Sequence, residues 1–190
     1  MINNIFSTFI YSGKCDVNLN AFKKHILDTK KKNTKGRAIS NKGGWQSQFF
    51  VETYKYNEEI FKTITKSVSE IMKVLKFNKD LKLQGYWYNI NKKCSFNKPH
   101  AHCGNNEVIS GVFYIKTPKN CGNLVFNKDD LLSSLAYNNN TDGYNEYTSS
   151  NYSVVPKEKC FILFPSSLRH YVEPNLNNQE RISISFNYVF

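Results

Sequence analysis

The sequence predicts a mainly β protein with helices (α+β), built as an antiparallel sandwich or jelly roll with two or more N-terminal helices packed on one sheet. Two observations carry this. Helical periodicity is confined to about the first 80 residues. From Leu83 onward the chain breaks into short runs rich in β-branched and aromatic residues, too closely spaced to hold helices between them.

In NLNAFKKHILDTK, Leu19, Phe22 and Ile26 recur at spacings of three and four, with Asn18 available as N-cap. His25 stands among lysines and reads as a surface histidine. Lys30, Lys31, Lys32 and Lys35 follow, charge that suits a helix C-terminus. Between Asn57 and Phe77 a longer helix is expected, because Ile60, Ile64, Val68, Ile71 and Leu75 form one apolar stripe. Each helix has one apolar face and so reads as a cover. The strands expected next are LQGYWYNIN, VISGVFYIK, GNLVF, CFILFP, RHYVE and RISISFNYV. Residues 127–152 form a polar insert with Asn138, Asn139 and Asn140, expected to be a loop over one mouth of the barrel. No repeat or boundary divides the chain, so residues 1–190 read as one domain: 1–80 largely helical support, 81–190 a β core.

Composition excludes several classes. Hydrophobic residues are 40% and charged residues 22%, against disorder, and no apolar run reaches the roughly 18 residues of a membrane span. The opening MINNIFSTFIYSGKCDVN lacks the basic stretch and long apolar run of a secretory signal, which predicts a cytoplasmic chain without a membrane partner. The charge of +11 invites a nucleic-acid partner. Only Arg37, Arg169 and Arg181 are arginines, however, and no lysine run alternates with aromatics. A solvated lysine surface is the favoured reading, and nucleic acid stays open without support. Five cysteines without a C-x-x-C pair point to free thiols. Oligomeric state is not legible.

Histidine is scarce, with four in the chain, yet His100 and His102 lie together in KPHAHCG. On an extended strand, residues two apart share a face and can reach one metal ion. His170, in FPSSLRHYVEP, is a third imidazole on another expected strand. Three neutral imidazoles would leave open positions on iron. Alone, this spacing also suits unrelated histidines. Arg181 comes eleven residues after His170, across the turn-like PNLNNQE, which would return the chain as an adjacent antiparallel strand. In RISISFN the alternation puts Arg181, Ser183, Ser185 and Asn187 on one face and Ile182, Ile184 and Phe186 on the other. An arginine in such a row suits a carboxylate held in bidentate fashion.

With these residues the sequence resembles the 2-oxoglutarate- and Fe(II)-dependent oxygenases, whose fold is a double-stranded β-helix. It is most similar to a small group with ordered motifs that read here SNKGGWQS at 40–47, HAH at 100–102, SGVFYIK at 110–116, FPSSLRH at 164–170 and RISISFN at 181–187. The resemblance spans roughly residues 40–188. It implies His100, His102 and His170 as iron ligands, and Arg181 with Ser183 on the distal carboxylate of 2-oxoglutarate. Tyr114 would contact the same carboxylate, or serve as a core aromatic, and Asn97 would make a polar contact to the cosubstrate. Trp45 and Trp87 are offered as lining for the substrate mouth, with a core role favoured for both. His102 stands where most of the superfamily has a carboxylate, so the centre would carry three histidines, unless Glu107 supplies the missing group. The implied cofactors are Fe(II), 2-oxoglutarate and O2. The implied reaction is hydroxylation of an unidentified small molecule or protein residue such as proline, coupled to succinate formation. A three-histidine dioxygenase without 2-oxoglutarate and a catalytically silent binding module remain open beside it. Cys103, next to His102, would be an oxidation liability.

Overall fold

The computed structural model describes residues 5, 7–104, 106–128, 135, 142–143, 145 and 147–190. In chain order the elements are β1 (Tyr11–Lys14), α1 (Asn20–Lys32), β2 (Asn41–Lys42), β3 (Trp45–Gln46), α2 (Glu58–Val74), β4 (Lys82–Asn91), β5 (Phe96–His100), β6 (Glu107–Lys116), β7 (Leu124–Asn127), β8 (Asn151–Val154), β9 (Cys160–Pro165), β10 (His170–Val172) and β11 (Arg181–Val189). They form two antiparallel sheets, ordered β1-β9-β6-β11-β4-β3 and β2-β5-β10-β7-β8. This is the jelly roll with helices expected from the pattern. No helix among the described residues is long and apolar enough to cross a membrane.

Alternation along the central strands separates two layers. Ile182, Ile184 and Phe186 of β11, Tyr86, Tyr88 and Ile90 of β4, and Phe113 of β6 point toward the helices. There they join Phe22 and Ile26 of α1 and Ile60, Phe61, Ile64, Val68, Ile71 and Met72 of α2 in one buried cluster. Each such side chain contributes roughly 1.5–3 kcal/mol through burial. Gly111 lets this packing close: a Cβ there would collide with the ring of Phe186. The opposite faces meet between the sheets, where Tyr114, Leu124, Phe126, Ile162 and Phe164 form a smaller cluster. The polar row of β11 faces that inner space.

Several expectations change. Asn18 does not cap through the N-cap position, which is Leu19; its Oδ1 accepts the Asn20 N–H instead. α2 ends at Val74, and Leu75 is the C-cap residue, 41% exposed rather than part of the stripe. His25 is half-buried against Phe22, Tyr54, Tyr56 and Tyr88, not a plain surface residue. β10 and β11 are not neighbours, because β10 already has β5 on one edge and β7 on the other. Residues 174–180 therefore carry the chain across to the other sheet. Buried Asn175 fixes that crossing, its Nδ2 donating to Asn91 O and Gln179 O. The 127–152 insert joins the paired strands β7 and β8, and most of the expected loop lies outside the described residues.

The SNKGGWQS motif ties the two sheets together. Asn41 begins β2 in one sheet and Trp45 begins β3 in the other, with Gly43 at φ +70° between them. Asn41 holds the turn by donating to Arg37 O and Gly44 O and accepting from Ile39 N–H. The Trp45 indole is buried and donates to Asn33 O, a core role.

Candidate active site

His100 closes β5 and His170 opens β10, and the two residues are register partners across the strands. Each ring is anchored by backbone two residues earlier. His100 Nδ1 lies 2.7 Å from Lys98 O, and His170 Nδ1 lies 2.8 Å from Leu168 O. With the proton on Nδ1, each Nε2 is left as a lone-pair donor. His102 follows β5 rather than lying on it, so the strand argument from spacing does not hold as drawn. Its backbone N–H donates to Ser166 O, which turns the segment inward. One ligand atom from each histidine lies within 4.8 Å of the other two. Two nitrogens on one ion stand at most about 4.2 Å apart, so small side-chain adjustments suffice. Burial lowers all three imidazoles from the ordinary histidine range, His102 to about 4 and His170 to about 3. They are neutral at pH 7, as ligands must be.

A cavity of about 90 Å³ opens beside the triad, large enough for several water molecules. Its lining includes every residue singled out for cosubstrate contact: Arg181, Ser183, Tyr114 and Asn97. Arg181 is 3% exposed, its Nη1 donates to Cys121 O and Gly122 O, and its Nε has no partner. No carboxylate among the described residues pairs with it. Burial lowers the Arg181 pKa, while nearby Tyr114 and Cys121 act the other way. Tyr114 is buried, its phenol pushed well up by desolvation and drawn back by Arg181. Ser183 is its register partner on β11. Asn97 donates from Nδ2 to Ser40 Oγ at 3.0 Å.

Other contributors were missed. Asn89 donates to Ser185 Oγ, and Ser110 donates to Asn187 Oδ1, so the polar row of β11 is braced from both sides. Applying to β4 the alternation read in β11 would have found Asn89 and put Trp87, already offered as lining for the substrate mouth, on the same inner face. Trp87 is the exception to the core role favoured for the tryptophans. It borders the cavity and an outer groove of about 400 Å³ that also takes in Gln46, Phe49, Gln84, Glu107 and His102. Glu107 lines that groove from β6 and is not in the histidine cluster. All five cysteines are free, and Cys103 is exposed.

The model of a family described as "Putative 2OG-Fe(II) oxygenase" matches residues 85–187. The chain belongs to this family. The oxygenases of this family are enzymes that use Fe(II), 2-oxoglutarate and O2. No curated protein sequence matches this oxygenase. Among solved structures, it is similar to a prolyl-4-hydroxylase of Pseudomonas putida, with TM-score 0.67 and 14% identity over 95% of this chain and 91% of that one. It is also similar to a prolyl hydroxylase of Trichoplax adhaerens in complex with a hypoxia inducible factor peptide, with TM-score 0.62 and 12% identity over 95% and 83%. HygX of Streptomyces hygroscopicus, with nickel, 2-oxoglutarate and hygromycin B bound, gives TM-score 0.60 and 12% identity over 96% and 83%. At these identities the likeness shows the fold.

Proposed function

We propose that His100, His102 and His170 hold Fe(II) as a three-histidine centre, and that Arg181, helped by Ser183 and Tyr114, holds the distal carboxylate of 2-oxoglutarate. Asn97 adds a polar contact at the same cosubstrate. The single observation that carries this reading is Arg181: a buried guanidinium with no carboxylate partner among the described residues, in the cavity that the three imidazoles border. An unpaired buried charge is costly, and a bound dicarboxylate would relieve it. The donor set fits the metal, since three neutral imidazoles bind iron and leave positions open.

The bound iron supplies oxygen activation, and the balanced reaction takes 2-oxoglutarate, O2 and a substrate C–H to succinate, CO2 and the hydroxylated product. The chain's own residues do the positioning. Backbone carbonyls of Lys98 and Leu168 fix two imidazoles, the Arg181 side chain orients the cosubstrate, and the buried walls exclude water. The primary substrate enters by the outer groove beside His102. The prolyl hydroxylase names of two structural neighbours put proline in a protein or peptide first among substrates to try. A three-histidine enzyme without 2-oxoglutarate would have no use for the Arg181 clamp.

The test is succinate formation from 2-oxoglutarate with Fe(II) and O2, run beside His170→Ala. Succinate from the wild type alone supports the reading. Iron binding without cosubstrate binding or succinate would overturn it in favour of a 2-oxoglutarate-independent metalloprotein.

A further inference from the structure

His102 differs from the other two histidines in what holds its ring. His100 and His170 are each anchored by a backbone carbonyl on Nδ1, whereas no hydrogen bond holds the His102 ring among the described residues. Metal-binding imidazoles nearly always have such a partner, which fixes ring plane and tautomer. In its place His102 has stacked rings. The Trp87 indole lies at 5.9 Å between centroids and 29° between planes, and His170 lies at 5.3 Å and 6°. Trp87 also stacks with Phe49, at 6.1 Å and 29°. Phe49 in turn lies against Gly85, where a Cβ would collide with its ring. Gly85, Phe49, Trp87 and His102 thus form one continuous pile. Phe49 is 38% exposed, and Phe49, Trp87 and His102 all line the outer groove.

The geometry points to Trp87 as the positioning residue for His102, fixing its ring by stacking where the other ligands are fixed by hydrogen bonds. This rests on the three-histidine reading above. Trp87 also borders both the cavity and the outer groove, so an occupant of the groove bears on the ring that orients His102. Of the three histidines only His102 lines that groove.

Co(II) titration of the full chain tests this without turnover, since its visible d–d bands report ligand number and geometry. Wild type, Trp87→Leu, Trp87→Phe and Phe49→Ala are compared, with thermal melts to confirm folding. Trp87→Leu is expected to weaken Co(II) binding at least tenfold and change the band shape, the loss typical of removing an outer-shell partner. Trp87→Phe, which keeps a stacking ring, should bind within about threefold of wild type with the same bands. Phe49→Ala keeps the indole and removes only the ring stacked against it; it should shift the bands and weaken binding less. Unchanged affinity and bands in Trp87→Leu overturn the inference. Should that variant not fold, unchanged bands in Phe49→Ala overturn it equally. Failure of the wild type to bind Co(II) would instead overturn the three-histidine reading, and this inference with it.

Discussion

Replacing Arg181 by methionine removes the guanidinium and keeps an unbranched stem. For binding, the loss is the charge-assisted hydrogen bonding to a carboxylate, about 1.5–3 kcal/mol, which converts to roughly 10- to 150-fold weaker 2-oxoglutarate affinity. For folding, two terms oppose. The Nη1 bonds to Cys121 O and Gly122 O disappear. Against this, a cation 3% exposed, with an unpartnered Nε and no carboxylate pair, no longer has to be buried. The apoprotein should therefore change by no more than about 2 kcal/mol, a shift of several degrees in Tm at this chain length. Cosubstrate binding is read anaerobically, with Fe(II) present, from the visible charge-transfer band of the chelated keto acid and by calorimetry. Apoprotein stability is read by thermal melts. The expected signature is a large loss of 2-oxoglutarate affinity with iron binding and folding retained. Unchanged affinity refutes the carboxylate clamp, and a collapse of stability with affinity intact would make Arg181 a structural residue.

His170→Ala should abolish Fe(II) binding in anaerobic equilibrium dialysis, because His170 is buried and its ring packs against both of the other histidines; stoichiometric iron in the variant would remove it from the proposed centre. Tyr114→Phe removes one neutral donor beside Arg181 and should weaken 2-oxoglutarate about 2- to 13-fold, from roughly 0.5–1.5 kcal/mol for a hydrogen bond. No change in calorimetry would return Tyr114 to a core role. The apoprotein should lose stability as pH falls below about 6.5, the ordinary histidine value. In that range the unfolded chain binds protons that His102, at about 4, and His170, at about 3, refuse when folded. The stability is present in full above that window. Melts between pH 7.5 and 5 check it, with a shallower slope expected for His170→Ala, and equal slopes would refute the assignment.

Much of the fold was legible because strands announce themselves locally. The six long or apolar runs after Leu83 were each found, and β11 displayed its two faces in its own alternation. The elements not named were β1, β2, β3, β5 and β8; of these β5 entered only as the extended stretch assumed around His100, and β2 and β3 are only two residues long. Such pieces exist because a neighbouring strand offers them hydrogen bonds, which no local pattern encodes. The same cause misplaced β11. Nothing in PNLNNQE says that both edges of β10 are already taken.

The site divides along the same line. The amino-acid sequence by itself determined the donor types and their order: three scarce histidines, an arginine in a polar row, and the motifs that mark an oxygenase of this family. It determined these because chemistry and alternation are properties of a few neighbouring residues. Only the tertiary structure decided that His100 and His170 are register partners. It likewise decided that His102 turns inward from beyond its strand, that Glu107 stays outside the cluster, and that Trp87 rather than Trp45 borders the cavity. Those outcomes depend on which sheet each strand joins and which side chain then faces which. Pairing between residues 60 to 100 positions apart is settled by packing and hydrogen bonds over the whole chain.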